Sequence, residues 1–101
     1  LADNGIYGTI RMHQERDYPG RVIATDLRNP DFVAYALAFG GYGAVVEKSA
    51  DFPAAFAAAR ACGKPSIIHL KIDPEAITPT STLTGIREKS LAGGGGSGGR
   101  T

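Results

Sequence analysis

The chain has no tryptophan, one cysteine and one methionine. With Cys62 alone, no disulfide can close within it, and a reduced, cytoplasmic setting is the expectation. Cys62 itself reads as a small hydrophobe on the apolar side of a helix. Long apolar runs are also lacking. None approaches the ~20 residues that cross a bilayer, so a membrane partner is not expected. No charge sign dominates: eleven Lys and Arg stand against ten Asp and Glu, for a net charge of +1. The basic residues are scattered along the chain, which argues against electrostatic binding of nucleic acid. The two histidines, His13 and His69, have no cysteine or carboxylate at metal-ligand spacing, so a zinc site is not expected. The glycine tract Gly93 to Gly99 holds no lysine and follows no strand, so it is not a phosphate loop.

What is present is an alternation of helix and strand signals. Leu1 to Asn4 reads as a strand end and Gly5 to about Glu15 as a short helix. A Tyr18-Pro19-Gly20 turn then opens a loop that runs to Leu27. Asn29 as N-cap, Pro30 at the first position and Asp31 in the first turn announce a second helix. Its apolar face is Phe32, Tyr35, Ala36 and Phe39, and Gly40-Gly41 ends it. A short strand follows over Gly43 to Lys48. Ser49 or Asp51 then caps an alanine-rich helix with the stripe Phe52, Ala55, Phe56 and Ala59, stopped by Gly63. Pro65 to Asp73 is the strongest strand, its Ile67, Ile68, Leu70 and Ile72 suiting a buried position beside a parallel neighbour. Thr82 to about Leu91 reads as a final helix. The expected fold is α/β, a partial parallel sheet of about three strands layered with helices. Residues 1–91 form this module, and 92–101 read as a Gly-rich linker or engineered tail.

Two features point to a piece of something larger. The sequence opens without Met at a strand end, and so small a parallel sheet has exposed edges. That apolar surface leads us to expect self-association.

The segment with chemical content is Asp3-Asn4-Gly5-Ile6-Tyr7-Gly8. A strand that delivers Asn into a Gly-containing turn is a place where ligands bind in open α/β sheets. The commonest use of such an Asn is an Asx-turn that simply ends the strand. A second use is ligation: Mg²⁺ takes oxygen donors, and an Asn carbonyl and a backbone carbonyl both qualify. Amides of a helix starting near Gly5 would then meet a phosphate. His13 reads either as a surface histidine or as an acid/base near this turn. His69 reads as a packed strand residue, Glu75 as a turn or helix-start acid, and Arg11, Glu15, Arg16 and Asp17 as a solvated charged face.

Asp3 to Glu15 resembles the Asn-Asn end of the thiamine diphosphate motif of the acetolactate synthase and benzoylformate decarboxylase group. That motif begins with Gly-Asp-Gly, which does not occur here. The similarity continues through Asn29-Pro-Asp-Phe32, Ala38-Phe-Gly40, Asp51-Phe52, Gly63-Lys-Pro65, Asp73-Pro-Glu-Ala-Ile77 and Thr82-Leu83, to about Leu91. The resemblance implies half of a thiamine-diphosphate-binding fold, with thiamine diphosphate and Mg²⁺ as cofactors. It implies a cofactor-binding set of Asp3, Asn4, Ile6, Tyr7 and Gly8, with Asn4 and the Ile6 carbonyl as metal ligands. Asp3 stands where the family has the first Asn. Thr9 and His13 fall where substrate-facing side chains lie. The implied parent is a 2-keto acid decarboxylase or carboligase, and its remaining domains or second subunit would be the partners. The chain alone is expected to be inactive, and a small non-enzymatic α/β interaction module is the other reading.

Overall fold

A computed structural model describes residues 1–93. The Gly-rich tail falls almost wholly outside them. The chain divides into two compact units: Leu1–Asp3 with Arg28–Ile72, and Asn4–Leu27 with the chain from Asp73 on.

The first unit is the α/β layer. Strands β1 (Ala2–Asp3), β2 (Tyr42–Val46) and β3 (Ser66–Lys71) form a parallel sheet in the order β1-β3-β2. Ala2 faces Leu70 across one ladder, and Tyr42 to Val46 run opposite Ser66 to Leu70 across the other. The expected three-stranded parallel sheet is therefore present, with the most apolar strand at its centre.

Helix α2 (Phe32–Ala38) packs on the sheet through Val33 and the buried Ala36. Its cap differs from the expected one. Asp31 is the N-cap and accepts the Ala34 amide at 3.0 Å, while Asn29 turns its side chain to Asp3. The helix ends in a Schellman arrangement. Gly40, at φ +75°, donates to Leu37, and Gly41 donates to Ala36. The expected apolar stripe is split: Ala36 is buried, but Tyr35 and Phe39 stack tilted on each other in the open, Phe39 at 78% exposure.

A 3₁₀ turn (Ser49–Asp51) leads into α3 (Phe52–Ala61), with Pro53 in its first turn. Ala55, Ala59 and Cys62 are its half-buried positions. Phe52 and Phe56 stack on each other and stay exposed. The Cys62 thiol donates to the Ala59 carbonyl, and its contact with Ser66 pushes its pKa below the ordinary value.

The second unit is built from α1 (Gly8–Asp17), the hairpin β4 (Ala76–Thr78) with β5 (Ser81–Thr82), and α4 (Leu83–Ala92). The hairpin was not expected. Its strands, three and two residues long, are too short for a period-2 signal. Thr82 caps α4 by accepting the Gly85 amide at 3.0 Å, a contact that stabilises a helix by about 1 kcal/mol. Leu83 is the buried apolar residue of this unit.

Glu15 departs from the expected solvated face. It is 3% exposed, and its carboxylate accepts the Gly20 amide at 3.1 Å and faces Arg87 at 3.6 Å. It thereby ties α1 to the turn that follows it and to α4. No helix among the described residues is long and apolar enough to cross a membrane.

Candidate functional site

The turn after β1 starts with Asn4. Its Oδ1 accepts the Ile6 amide at 3.1 Å, which closes an Asx-turn, and Gly5 takes φ +72° to make the reversal. The turn reading of Asn4 is thus realised, and it does not use up the side chain. An amide oxygen has two lone pairs, so one remains for a cation.

Ile6 forms an antiparallel bridge with Asp26. The bonds of that bridge run from Tyr7 N to the Thr25 carbonyl and from Leu27 N to the Gly5 carbonyl, both at 2.8 Å. Ile6 sits between them, and its carbonyl is left out of the ladder. Such a carbonyl is open to a hard cation, which prefers oxygen.

Helix α1 begins immediately afterwards. Tyr7 is its N-cap and supplies no side-chain bond, and among the described residues no other side chain is bonded to the amides of Gly8, Thr9 and Ile10. Gly8 is closely fitted: a Cβ there would lie 3.0 Å from the Asn4 Nδ2. Asn4, Ile6, Tyr7 and Gly8 therefore converge on one turn and helix start. Tyr7 and Thr9 are exposed. His13 lies on the exposed side of α1, where its Nδ1 contacts the Arg16 guanidinium.

The loop opposite the turn is fixed by Gln14. Its amide donates to the Ile23 carbonyl at 2.9 Å, and its oxygen accepts from Ile23 N and from the Thr25 hydroxyl. Arg11 pairs with Asp26 at 2.9 Å, while its Nε is buried without a partner among the described residues. Ala24, between these anchors, is held at φ +58°.

Asp3 belongs to the first unit. Its Oδ2 lies 2.8 Å from His69 Nε2, and its Oδ1 accepts from Asn29 Nδ2 at 2.8 Å. His69 is 7% exposed and meets the ring of Phe32 edge-on. The packed-strand reading of His69 holds, but its bond to Asp3 was not legible, because 66 residues separate the two. Glu75 also holds its expected role. Its carboxylate accepts the Thr84 amide at 2.8 Å, at the start of α4.

No group of three His, Cys, Asp or Glu among the described residues is arranged to hold a metal. Within the turn, the amide oxygen of Asn4 and the carbonyl of Ile6 are donors of the type a hard cation takes, and the start of α1 is of the kind that meets a phosphate. This donor set fits a phosphate-bearing cofactor with a hard divalent ion. No curated protein matches the chain. Residues 1–70 match the family described as thiamine pyrophosphate enzyme, C-terminal TPP binding domain. The match takes in the Asn4 turn, α1 and the parallel sheet as far as Leu70, and leaves the hairpin and α4 beyond it. The chain thus belongs to the thiamine pyrophosphate enzymes, through their C-terminal TPP binding domain.

Proposed function

We propose that this chain supplies the diphosphate and Mg²⁺ wall of a thiamine-diphosphate-dependent enzyme acting on a 2-keto acid. The observation that carries the reading is the Asn4 turn, which presents one amide oxygen and one unladdered carbonyl, that of Ile6, beside an uncapped helix start. Asn4 and Ile6 hold the metal. The amides of Gly8, Thr9 and Ile10 would donate to a diphosphate at the start of α1. Tyr7 and Gly8 shape the approach to it. The bound cofactor supplies carbanion stabilisation next to the substrate carbonyl. Thr9 and His13, both exposed on α1, face the substrate, and Arg16 orients the His13 ring.

The finer assignment is to the acetolactate synthase and benzoylformate decarboxylase group, as decarboxylase or carboligase. It is supported by the series from Asn29-Pro-Asp-Phe32 to Gly63-Lys-Pro65, which stands in the order that group has. A cytoplasmic setting accords with it. The remainder of the parent enzyme, or a second subunit, completes the site.

Calorimetric titration of the chain with thiamine diphosphate, with and without Mg²⁺, tests the proposal. We expect metal-dependent binding, weakened about tenfold or more by Asn4→Ala. Binding that ignores Mg²⁺, or that survives Asn4→Ala unchanged, removes the assignment.

A second reading is a self-associating α/β interaction module. The exposed side chains of Tyr35, Leu37 and Phe39 on α2 favour it. Sedimentation equilibrium decides: a chain that stays monomeric at high concentration sinks this reading.

A further inference from the structure

We propose that His69 and Asn29 are positioning residues for the cofactor turn, acting through Asp3; the inference rests on the site reading above and extends it. Asp3 directly precedes Asn4, and the Asp3 carbonyl is part of the peptide that leads into Asn4, so whatever holds that carbonyl holds the first peptide of the turn. Three contacts hold Asp3. The Asp3 carbonyl accepts the Ile72 amide at 2.8 Å. The two carboxylate oxygens are held separately, one by His69 Nε2 and one by Asn29 Nδ2, each at 2.8 Å. A peptide whose carbonyl and side chain are both tied has little freedom left to rock.

The chemistry of the pair is specific. A carboxylate only accepts, so His69 Nε2 carries the proton that it gives to Asp3. The imidazole is in turn held by its place inside β3, at 7% exposure, and by the edge of Phe32. This is a chain of support running from the centre of the sheet to the residue before the ligand. Loss of a group that orients a metal ligand typically costs about 10–100-fold in metal affinity. The two carboxylate oxygens of Asp3 give each donor an acceptor atom of its own.

The test uses the full chain with two readouts. The first is amide hydrogen exchange at Ile6, whose N–H is bonded to Asn4 Oδ1, with the Tyr42 amide, bonded to the Pro65 carbonyl, as the control for the sheet. The second is Mg²⁺-dependent affinity for thiamine diphosphate. His69→Leu keeps the bulk and removes the donor. We expect Ile6 exchange to rise and cofactor affinity to fall, each by about tenfold, with Tyr42 exchange unchanged. His69→Gln, which restores a donor, should recover most of both. If His69→Leu loses the sheet, Asn29→Ala decides instead, because it removes the other donor from an exposed position. Unaltered Ile6 exchange in a variant whose Tyr42 amide stays protected overturns the inference. If the unaltered chain fails to bind the cofactor, the site reading falls, and the Ile6 readout still judges the positioning role.

Discussion

Gly43 on β2 and Val33 on α2 are in backbone contact: a Cβ built on Gly43 would lie 2.9 Å from the Val33 Cα and 3.1 Å from its carbonyl. Helix and sheet can approach this closely only because position 43 carries no side chain. The neighbour that would have to move is backbone, which cannot swing aside as a long side chain can. Gly43→Ala should lower the unfolding free energy by about 1–3 kcal/mol, read as a reduced urea midpoint with an unchanged slope. An unchanged midpoint would mean that α2 slides on the sheet without cost.

Ala24 presents the opposite case. It is the described non-glycine residue at positive φ, +58°, in the loop clamped by Gln14 and Asp26. A Cβ in the left-handed region clashes with its own backbone, at a cost of roughly 1–2 kcal/mol. Glycine removes the clash but adds freedom to the unfolded chain. Ala24→Gly should therefore raise stability by about 1 kcal/mol or somewhat less, and Ala24→Val should lower it. Thermal melts of the two variants check this, and a destabilised glycine variant would refute it.

The alternation of strands and helices was legible because its signals are local. Ile67 to Ile72 and the Gly40 and Gly63 stops depend on residues within a few positions of one another. The Asn4 turn was legible for the same reason: Asn4 bonds two residues ahead. What escaped depends on distance along the chain. Asn29 reads as a helix cap from its neighbours, but it is taken by Asp3, which leaves Asp31 to cap. Glu15 reads as solvated from the charges around it, yet Gly20 and Arg87 bury it. The α2 stripe reads as one face because Phe32, Tyr35, Ala36 and Phe39 recur at helical spacing. The close seat of Val33 on Gly43 turns Tyr35 and Phe39 outward.

The Thr84 amide, held by Glu75, holds its carboxyl below the usual glutamate range, with smaller contributions from the Thr84 hydroxyl, Arg87 and Arg11. A carboxylate whose pKa is lower in the folded chain binds fewer protons there than in the unfolded chain. Its stabilisation is complete above the unfolded value of about 4.3 and is lost as pH falls through the folded value. Urea unfolding across pH should therefore show a falling stability below about pH 4.5. In Glu75→Gln, which keeps the acceptor oxygen and removes the charge, that part of the fall should vanish. The stability gap between the two chains should be constant near neutrality and shrink in acid. A gap that persists unchanged to low pH would show that the charge of Glu75 contributes nothing.

Gly8 separates function from stability. A Cβ at this position meets the Asn4 Nδ2 at 3.0 Å and an Ile77 methyl at 3.5 Å. The first contact is with the far end of a side chain, so the fold can absorb it by rotating the Asn4 amide. That rotation is what the proposed metal site cannot tolerate, since it carries Oδ1 away from the direction in which it accepts Ile6 N and faces a cation. The better helix propensity of alanine offsets the loss of the Asn4–Ile6 bond, each being worth about 1 kcal/mol, so Gly8→Ala should leave the melting temperature nearly unchanged. Mg²⁺-dependent affinity for thiamine diphosphate should nevertheless fall about tenfold. Mutations that loosen a fold lower both quantities together. A Gly8→Ala chain that melts no earlier and binds the cofactor as tightly as the unaltered one would show that Asn4 is a turn residue and no more.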